Sequence, residues 1–298
     1  ITQALHTVLG DRTRWRRWSR NGIAGVARHY SWEAHAQKYL TQVERVLYRA
    51  RKQTRWPSLG ASTPRSEVTQ PLARARHLLI TDLDNTLIGN DFALQRMLAW
   101  LKAQAGRVAF GVATGRTLDS TLKLLREHKV PMPQVMVTSV GAEVCYGSSL
   151  LRDTRWEQHI RHAWRREDVL QLLSAQSGLR LQPAAHQSEC KISFYLAEAK
   201  PPSLRQLQQA LRQAGLRANL ITSHERFLDV LPVRASKGRA IRYLAYRWGF
   251  DLDQVLVAGD SGNDWDMLVG DTLAVVVGGH GPELTALKGR EQVFFAPT

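Results

Sequence analysis

The sequence holds almost no cysteine: Cys145 and Cys190 are the only two in 298 residues, each inside an apolar or strand-like stretch. That excludes a disulfide framework and any zinc-type Cys spacing, and it points to a reducing, cytoplasmic setting. Long apolar runs are missing too; none approaches the roughly 18 residues of a membrane span. The first residues show no charged start followed by an apolar core and a cleavage site, so neither a membrane partner nor a secretory leader is expected. Acid is scarce, with 26 Asp and Glu against 41 Lys and Arg and a net charge of +15. The 44% hydrophobic and 22% charged residues are ordinary for a folded protein, so the imbalance does not signal disorder.

The charge is localised. Residues 1–76 carry 15 basic and 4 acidic side chains, net +11, which leaves +4 for residues 77–298. Trp and Arg interleave over residues 14–20, but no nucleic-acid recognition motif accompanies them, and no nucleic-acid partner is expected. Residues 1–50 read as helical, with a turn near Asn21-Gly22 and a further helix from a capping Ser31 to Leu47. Residues 51–76, with Pro57, Gly60, Pro64 and Pro71, have linker composition.

From His77 the pattern becomes strand, helix, strand. Leu78–Ile80, Val108–Ala113 and Val135–Thr138 read as strands separated by helices over Phe92–Ala105 and Leu118–Glu127. The same grammar returns after Lys237, with strands Val255–Ala258, Leu273–Val277 and Val293–Phe295. Such units predict an α/β fold with a doubly wound, Rossmann-like parallel sheet over 77–147 and 232–298. Residues 148–231 are paced differently, with two helices and four short strands, and predict an inserted α+β cap.

Chemistry collects at the strand ends. Asp82-Leu83-Asp84-Asn85-Thr86 follows the first strand, and ligands of open α/β sheets bind at the carboxyl ends of strands. The second strand runs into Thr114-Gly115-Arg116, a hydroxyl and backbone N–H groups suited to phosphate oxygens. Lys237 opens a helix, and Val255–Ala258 runs into Gly259-Asp260-Ser261-Gly262-Asn263-Asp264, where Asp260 and Asp264 can join Asp82 and Asp84 around a hard cation such as Mg²⁺. Each piece alone is an ordinary turn. Together they are a carboxylate nucleophile, an acid/base carboxylate, a phosphate-binding hydroxyl, a lysine and a metal site, the equipment of phosphoryl transfer.

In this order the four motifs resemble the haloacid dehalogenase superfamily of phosphatases across 77–298. Ser139-Val140-Gly141-Ala142-Glu143, Lys191-Ile192-Ser193-Phe194-Tyr195 and Arg234-Ala235-Ser236-Lys237-Gly238 resemble the sucrose-6-phosphate phosphatases and the phosphatase-like C-terminal domains of bacterial sucrose-phosphate synthases. Trp15–Trp18, Asn21-Gly22-Ile23 and His29–His35 look like the closing helices of such a synthase's glycosyltransferase domain, which would make 1–50 part of a longer chain. The resemblance implies Mg²⁺-dependent hydrolysis of sucrose 6-phosphate. Asp82 would be the nucleophile and Asp84 the acid/base; Thr114 and Lys237 would hold the phosphoryl oxygens. Asp82, the Asp84 carbonyl and Asp260 would ligate the metal, with Asp264 completing or orienting the shell. Ser261, Asn263, Gly115 and Arg116 would contact phosphate or its waters. Lys191 is the first choice among residues reaching the sugar, ahead of Glu143 and the His186–Ser188 loop. Trp156, Trp164 and Trp248 are expected to pack rather than to stack on sugar. Phosphatases of other sugar phosphates, and a non-catalytic module of the synthase, are the competing readings.

Overall fold

The structure is a computed structural model and describes residues 7, 10–29, 70–197, 201–223 and 225–297. Strand β1 (His77–Thr81) is buried at every position after the first, as a strand covered on both faces must be. It pairs in parallel with β2 (Val108–Ala113) on one side and β10 (Val255–Gly259) on the other. Outward from β10 lie β11 (Leu273–Val276) and β12 (Val293–Phe295), also parallel. Outward from β2 lie β3 (Val135–Thr138), parallel, and then β4 (Glu143–Tyr146) and β5 (Leu151–Arg152), antiparallel. The eight strands run β12-β11-β10-β1-β2-β3-β4-β5.

Helices Asp91–Ala103 and Leu118–Glu127 cover one face, with Leu94 and Leu125 packed on Leu79, Phe110, Val112 and Met136. Helix Lys237–Trp248 covers the other, with Ile241 and Leu244 against Ile80, Val137 and Val257. The first helix starts where Asn90 accepts the Ala93 N–H at 3.0 Å. Asp82 leaves β1 with its N–H bonded to Ala258 O at 2.8 Å, so the ends of β1 and β10 are tied together where the carboxylates emerge.

The cap is a second sheet, entirely antiparallel, ordered β6-β7-β9-β8, from β6 (Leu179–Leu181), β7 (Ile192–Leu196), β8 (Asn219–Ser223) and β9 (Phe227–Leu231). Alternation divides its faces. Ile192, Phe194, Leu228 and Val230 pack on helices Arg166–Ser174 and Leu204–Gln213, whereas Ser193 and Asp229, cross-strand partners, bond to each other at 2.5 Å.

Three expectations change. The turn near Asn21-Gly22 is absent: helix Arg12–His29 runs through it, started by Asp11, whose carboxylate accepts the Thr13 and Arg14 N–H groups at 2.9 and 3.0 Å. Its two interior glycines, Gly22 and Gly25, cost about 1 kcal/mol each, too little to break a helix of eighteen residues. The helix expected over 31–47 lies outside the described residues. Within the expected linker, helix Gln70–Arg74 inserts Leu72, 1% exposed, into the same apolar cluster as Ile80 and Val257. Lastly, β5 extends the large sheet, and Trp156 and Ile160 of helix Thr154–Ile160 pack in its core cluster. By packing, therefore, the inserted layer starts at Arg166 rather than at 148.

Candidate active site

Lys237 is completely buried, and such a charge survives only with partners. Its ammonium donates to Asp82 Oδ1 at 2.8 Å, Asp264 Oδ1 at 2.7 Å and Asn263 Oδ1 at 2.8 Å. Three sequence-distant segments thus converge on one nitrogen: the end of β1, the first residue of a helix, and the turn after β10. Burial works against the ammonium, but Asp264 and Asp82 outweigh it and hold its pKa above the ordinary lysine value. The opposite applies to Asp82: burial, reinforced by Asp264 and Asp260, pushes its carboxyl up to about 8 against the pull of Lys237.

Asp82, Asp260 and Asp264 each offer a carboxylate oxygen within 4.8 Å of the others, all buried. One ammonium cannot neutralise three carboxylates, and the donors are hard oxygens, so the cluster fits a divalent cation of the Mg²⁺ class. Asp264 has its oxygens engaged: besides Lys237, it accepts the N–H groups of Asp260 and Ser261 at 3.0 and 3.1 Å. Those bonds close the turn after β10. Gly259 permits them, because a Cβ there would lie 2.5 Å from the Asp264 carboxyl carbon.

Asp84 stands apart from this cluster. Its carboxylate is gripped by Arg116 through two bonds of 2.8 and 2.7 Å, a fork-to-fork pair at a half-exposed position. Thr114 is buried, and its hydroxyl oxygen accepts the Arg116 N–H at 3.2 Å. Asn263 Nδ2 lies beside Gly115, at van der Waals distance from where a Cβ would stand. Ser261 is buried beside Asn263, with its hydroxyl 3.4 Å from Asn263 Oδ1.

Behind this group, Ser139, Val140 and Gly141 have φ of 53°, 57° and 95°, three consecutive left-handed residues. For a β-branched valine this costs about 1–3 kcal/mol. The strain is held by bonds from Ser139 N–H to Arg116 O at 2.7 Å, Val140 N–H to Thr114 O at 3.0 Å, and Trp156 Nε1–H to Gly141 O at 3.0 Å. The turn therefore fixes the carbonyls of the Thr114–Arg116 loop. Sequence reading singled out these residues without seeing this task; Gly141 was the visible signal.

From the cap, Lys191 is 3% exposed rather than a solvated strand end; its ammonium donates to Gly115 O at 3.1 Å and lies 3.8 Å from Asp229. Glu143 is not drawn to this cluster: it accepts the Thr138 hydroxyl at 3.2 Å. His186 is exposed, and Gln187 is tied to cap backbone at Gln182 and Ser193. Trp156 is buried, and Trp164 donates to Glu189 O at 2.8 Å.

A sequence model of the sucrose-6F-phosphate phosphohydrolase family matches residues 75–298, the body that carries all these groups. The chain belongs to that family. Among relatives of this phosphohydrolase, mannosylfructose-phosphate phosphatase of Agrobacterium fabrum is 30% identical over 74% of this chain and 90% of its own. Sucrose-phosphatase 1 of Nicotiana tabacum is 32% identical over 72% of this chain and 53% of its own, so the chain spans about half of that plant relative. The glucosylglycerol-phosphate synthase of Pseudomonas anguilliseptica is 31% identical over 70% of this chain and 27% of its own. The sucrose-phosphatase of Synechocystis sp., solved with sucrose and phosphate, superposes with a TM-score of 0.72 at 29% identity, covering 75% of this chain and 93% of that one. A haloacid dehalogenase subclass IIB sugar phosphatase shares the fold at 15% identity and a TM-score of 0.54. The phosphohydrolase is thus a haloacid dehalogenase-type α/β core with an inserted cap, and by family a phosphoric monoester hydrolase of the sucrose-phosphatase type. Among the described residues no helix is long and apolar enough to cross a membrane.

Proposed function

We propose that this chain hydrolyses sucrose 6-phosphate to sucrose and phosphate through an aspartyl phosphate. The observation that carries the reading is the shared Lys237 ammonium, which aligns Asp82 with the Asn263 and Asp264 turn at the mouth of the sheet. Asp82 attacks phosphorus in line, its oxygen forming the new P–O bond while the bond to the sugar oxygen breaks. That oxygen takes a proton from Asp84. Water then attacks phosphorus, gives its proton to Asp84 and releases phosphate, restoring the Asp82 carboxylate. Thr114, Lys237 and the N–H groups of the Gly115–Arg116 loop stabilise the phosphoryl oxygens.

The Arg116 pair bears on this cycle. Arg116 occupies both Asp84 carboxylate oxygens, so the pair has to open before Asp84 can reach the sugar oxygen. A phosphate dianion arriving at Thr114–Arg116 is the group that draws the guanidinium away. Mg²⁺, held by Asp82, Asp260 and the Asp84 carbonyl, would supply neutralisation of phosphoryl charge. Lys191 reaches from the cap to the edge of the phosphate loop and is the cap residue we assign to the sugar phosphate.

The complete set of acidic, Thr and Lys groups supports catalysis over a non-catalytic module. The relative that acts on mannosylfructose phosphate supports a second reading, another disaccharide phosphate. The synthase relative supports a glycosyltransferase partner domain in the same longer chain, and two free, buried cysteines agree with a cytoplasmic setting. The test is phosphate release with Mg²⁺ from sucrose 6-phosphate, mannosylfructose phosphate, trehalose 6-phosphate and glucose 6-phosphate. Strong preference for the first is expected, with Asp82→Asn inactive; an active Asp82→Asn removes the mechanism.

A further inference from the structure

Lys237 is held at its root as well as at its tip. Its backbone lies between two close approaches that only glycine allows. A Cβ at Gly141 would come within 2.2 Å of the Ser236 carbonyl carbon, and one at Gly238 within 2.2 Å of Asp266 O. Asp266 stands on the short helix Trp265–Leu268, two residues beyond Asp264. Its carboxylate accepts the Ser236 hydroxyl and lies 3.5 Å from the Arg242 guanidinium. Ser236 in turn accepts the Arg239 N–H at 3.2 Å and so caps the helix that begins with Lys237.

One short segment therefore grips both ends of the same lysine: Asp264 takes the ammonium, and Asp266 takes the residue just before its Cα. We propose that Asp266 is a positioning residue for Lys237, acting through the Ser236 hydroxyl. A lysine side chain has four rotatable bonds, and fixing the tip alone leaves the root free to drift along the helix axis. Anchoring Ser236 to the turn that also carries Asn263 and Asp264 makes the ammonium and its partners one rigid group. Asp266 belongs to none of the carboxylates that gather for a cation, and its side chain is 39% exposed, so its bond to Ser236 is not forced by burial.

The inference rests on reading Lys237 as the ammonium that meets the phosphoryl group. It is tested on the full chain with Mg²⁺ and p-nitrophenyl phosphate, a probe that does not depend on which sugar is preferred. Asp266→Ala and Ser236→Ala are each expected to lower kcat roughly tenfold or more with KM within about twofold and melting temperature near that of the parent. The double variant falls no further than either single one, and Ser236→Thr, which keeps the hydroxyl, recovers most of the rate. If Asp266→Ala fails to fold, the Ser236→Ala and Ser236→Thr comparison gives the same readout. A parental kcat in folded Asp266→Ala or in Ser236→Ala, or losses that add in the double variant, overturns the proposal. Asp82→Asn distinguishes the two failures: if it is inactive while Asp266→Ala is not, only the positioning idea falls; if it is active, the reading of the site falls first.

Discussion

The large sheet and the cap sheet bury charge differently. At the mouth of the large sheet, Lys237, Asp82 and Asp264 are interlocked at 2.7–2.8 Å with side chains 0%, 6% and 0% exposed. On the cap, Lys191 and Asp229 stand 3.8 Å apart, and Lys191 spends its hydrogen bond on a carbonyl of the other layer. The first arrangement cannot lose a member without leaving an uncompensated charge in the interior. The second is looser: without Lys191, Asp229 loses one contact of 3.8 Å and keeps the Ser193 hydroxyl at 2.5 Å. On the proposed assignments, the reacting groups are built into the stability of the core, whereas the cap lysine is held by fewer and longer contacts and can change with less penalty.

The largest effect is expected from Lys237→Met, which leaves Asp82 and Asp264 buried without a counter-charge. It should cost about 3–5 kcal/mol in urea unfolding and abolish phosphate release. Lys191→Ala sharpens the contrast: KM for the sugar phosphate should rise roughly tenfold to a hundredfold, while unfolding changes by less than about 2 kcal/mol. A stability loss at Lys191 equal to that at Lys237 would break the comparison. The smallest effect concerns the thiols, Cys145 in the large sheet and Cys190 beside the cap. Burial pushes Cys145 up to about 11 and Cys190 upward as well, so little thiolate is present in either at pH 8. Alkylation by iodoacetamide at that pH should wait for unfolding. Labelling of Cys190 ahead of Cys145 would show the cap region opening on its own.

The parallel strands were legible because buried strands read as apolar runs, and because β1, β2 and β10 each end abruptly in polar residues. The hairpin of β4 and β5 was not. Val144, Cys145 and Tyr146 form too short a run, and the helix that follows shows only Trp156 and Ile160 as its buried stripe. Asp82, Thr114, Lys237 and Asp260 could be placed by position alone, each at a strand end or helix start. Pairings could not. Nothing in the order of residues says that Arg116 faces Asp84, that Trp156 holds Gly141, or that Asp266 faces Ser236, since each depends on how loops from separate strands fold over one another. The interruption expected at Asn21-Gly22 shows the opposite limit: a strong local turn signal yields when both flanks favour helix.

Leu72 marks where the catalytic body begins. Because its side chain fills the cluster under β1 and β10, the segment from Gln70 to Arg76 is packed on the body ahead of its first strand. A chain trimmed to start at His77 would have a cavity in its floor, whereas one starting at Gln70 keeps the floor closed. The body therefore has its floor completed by one leucine, several residues ahead of the first strand.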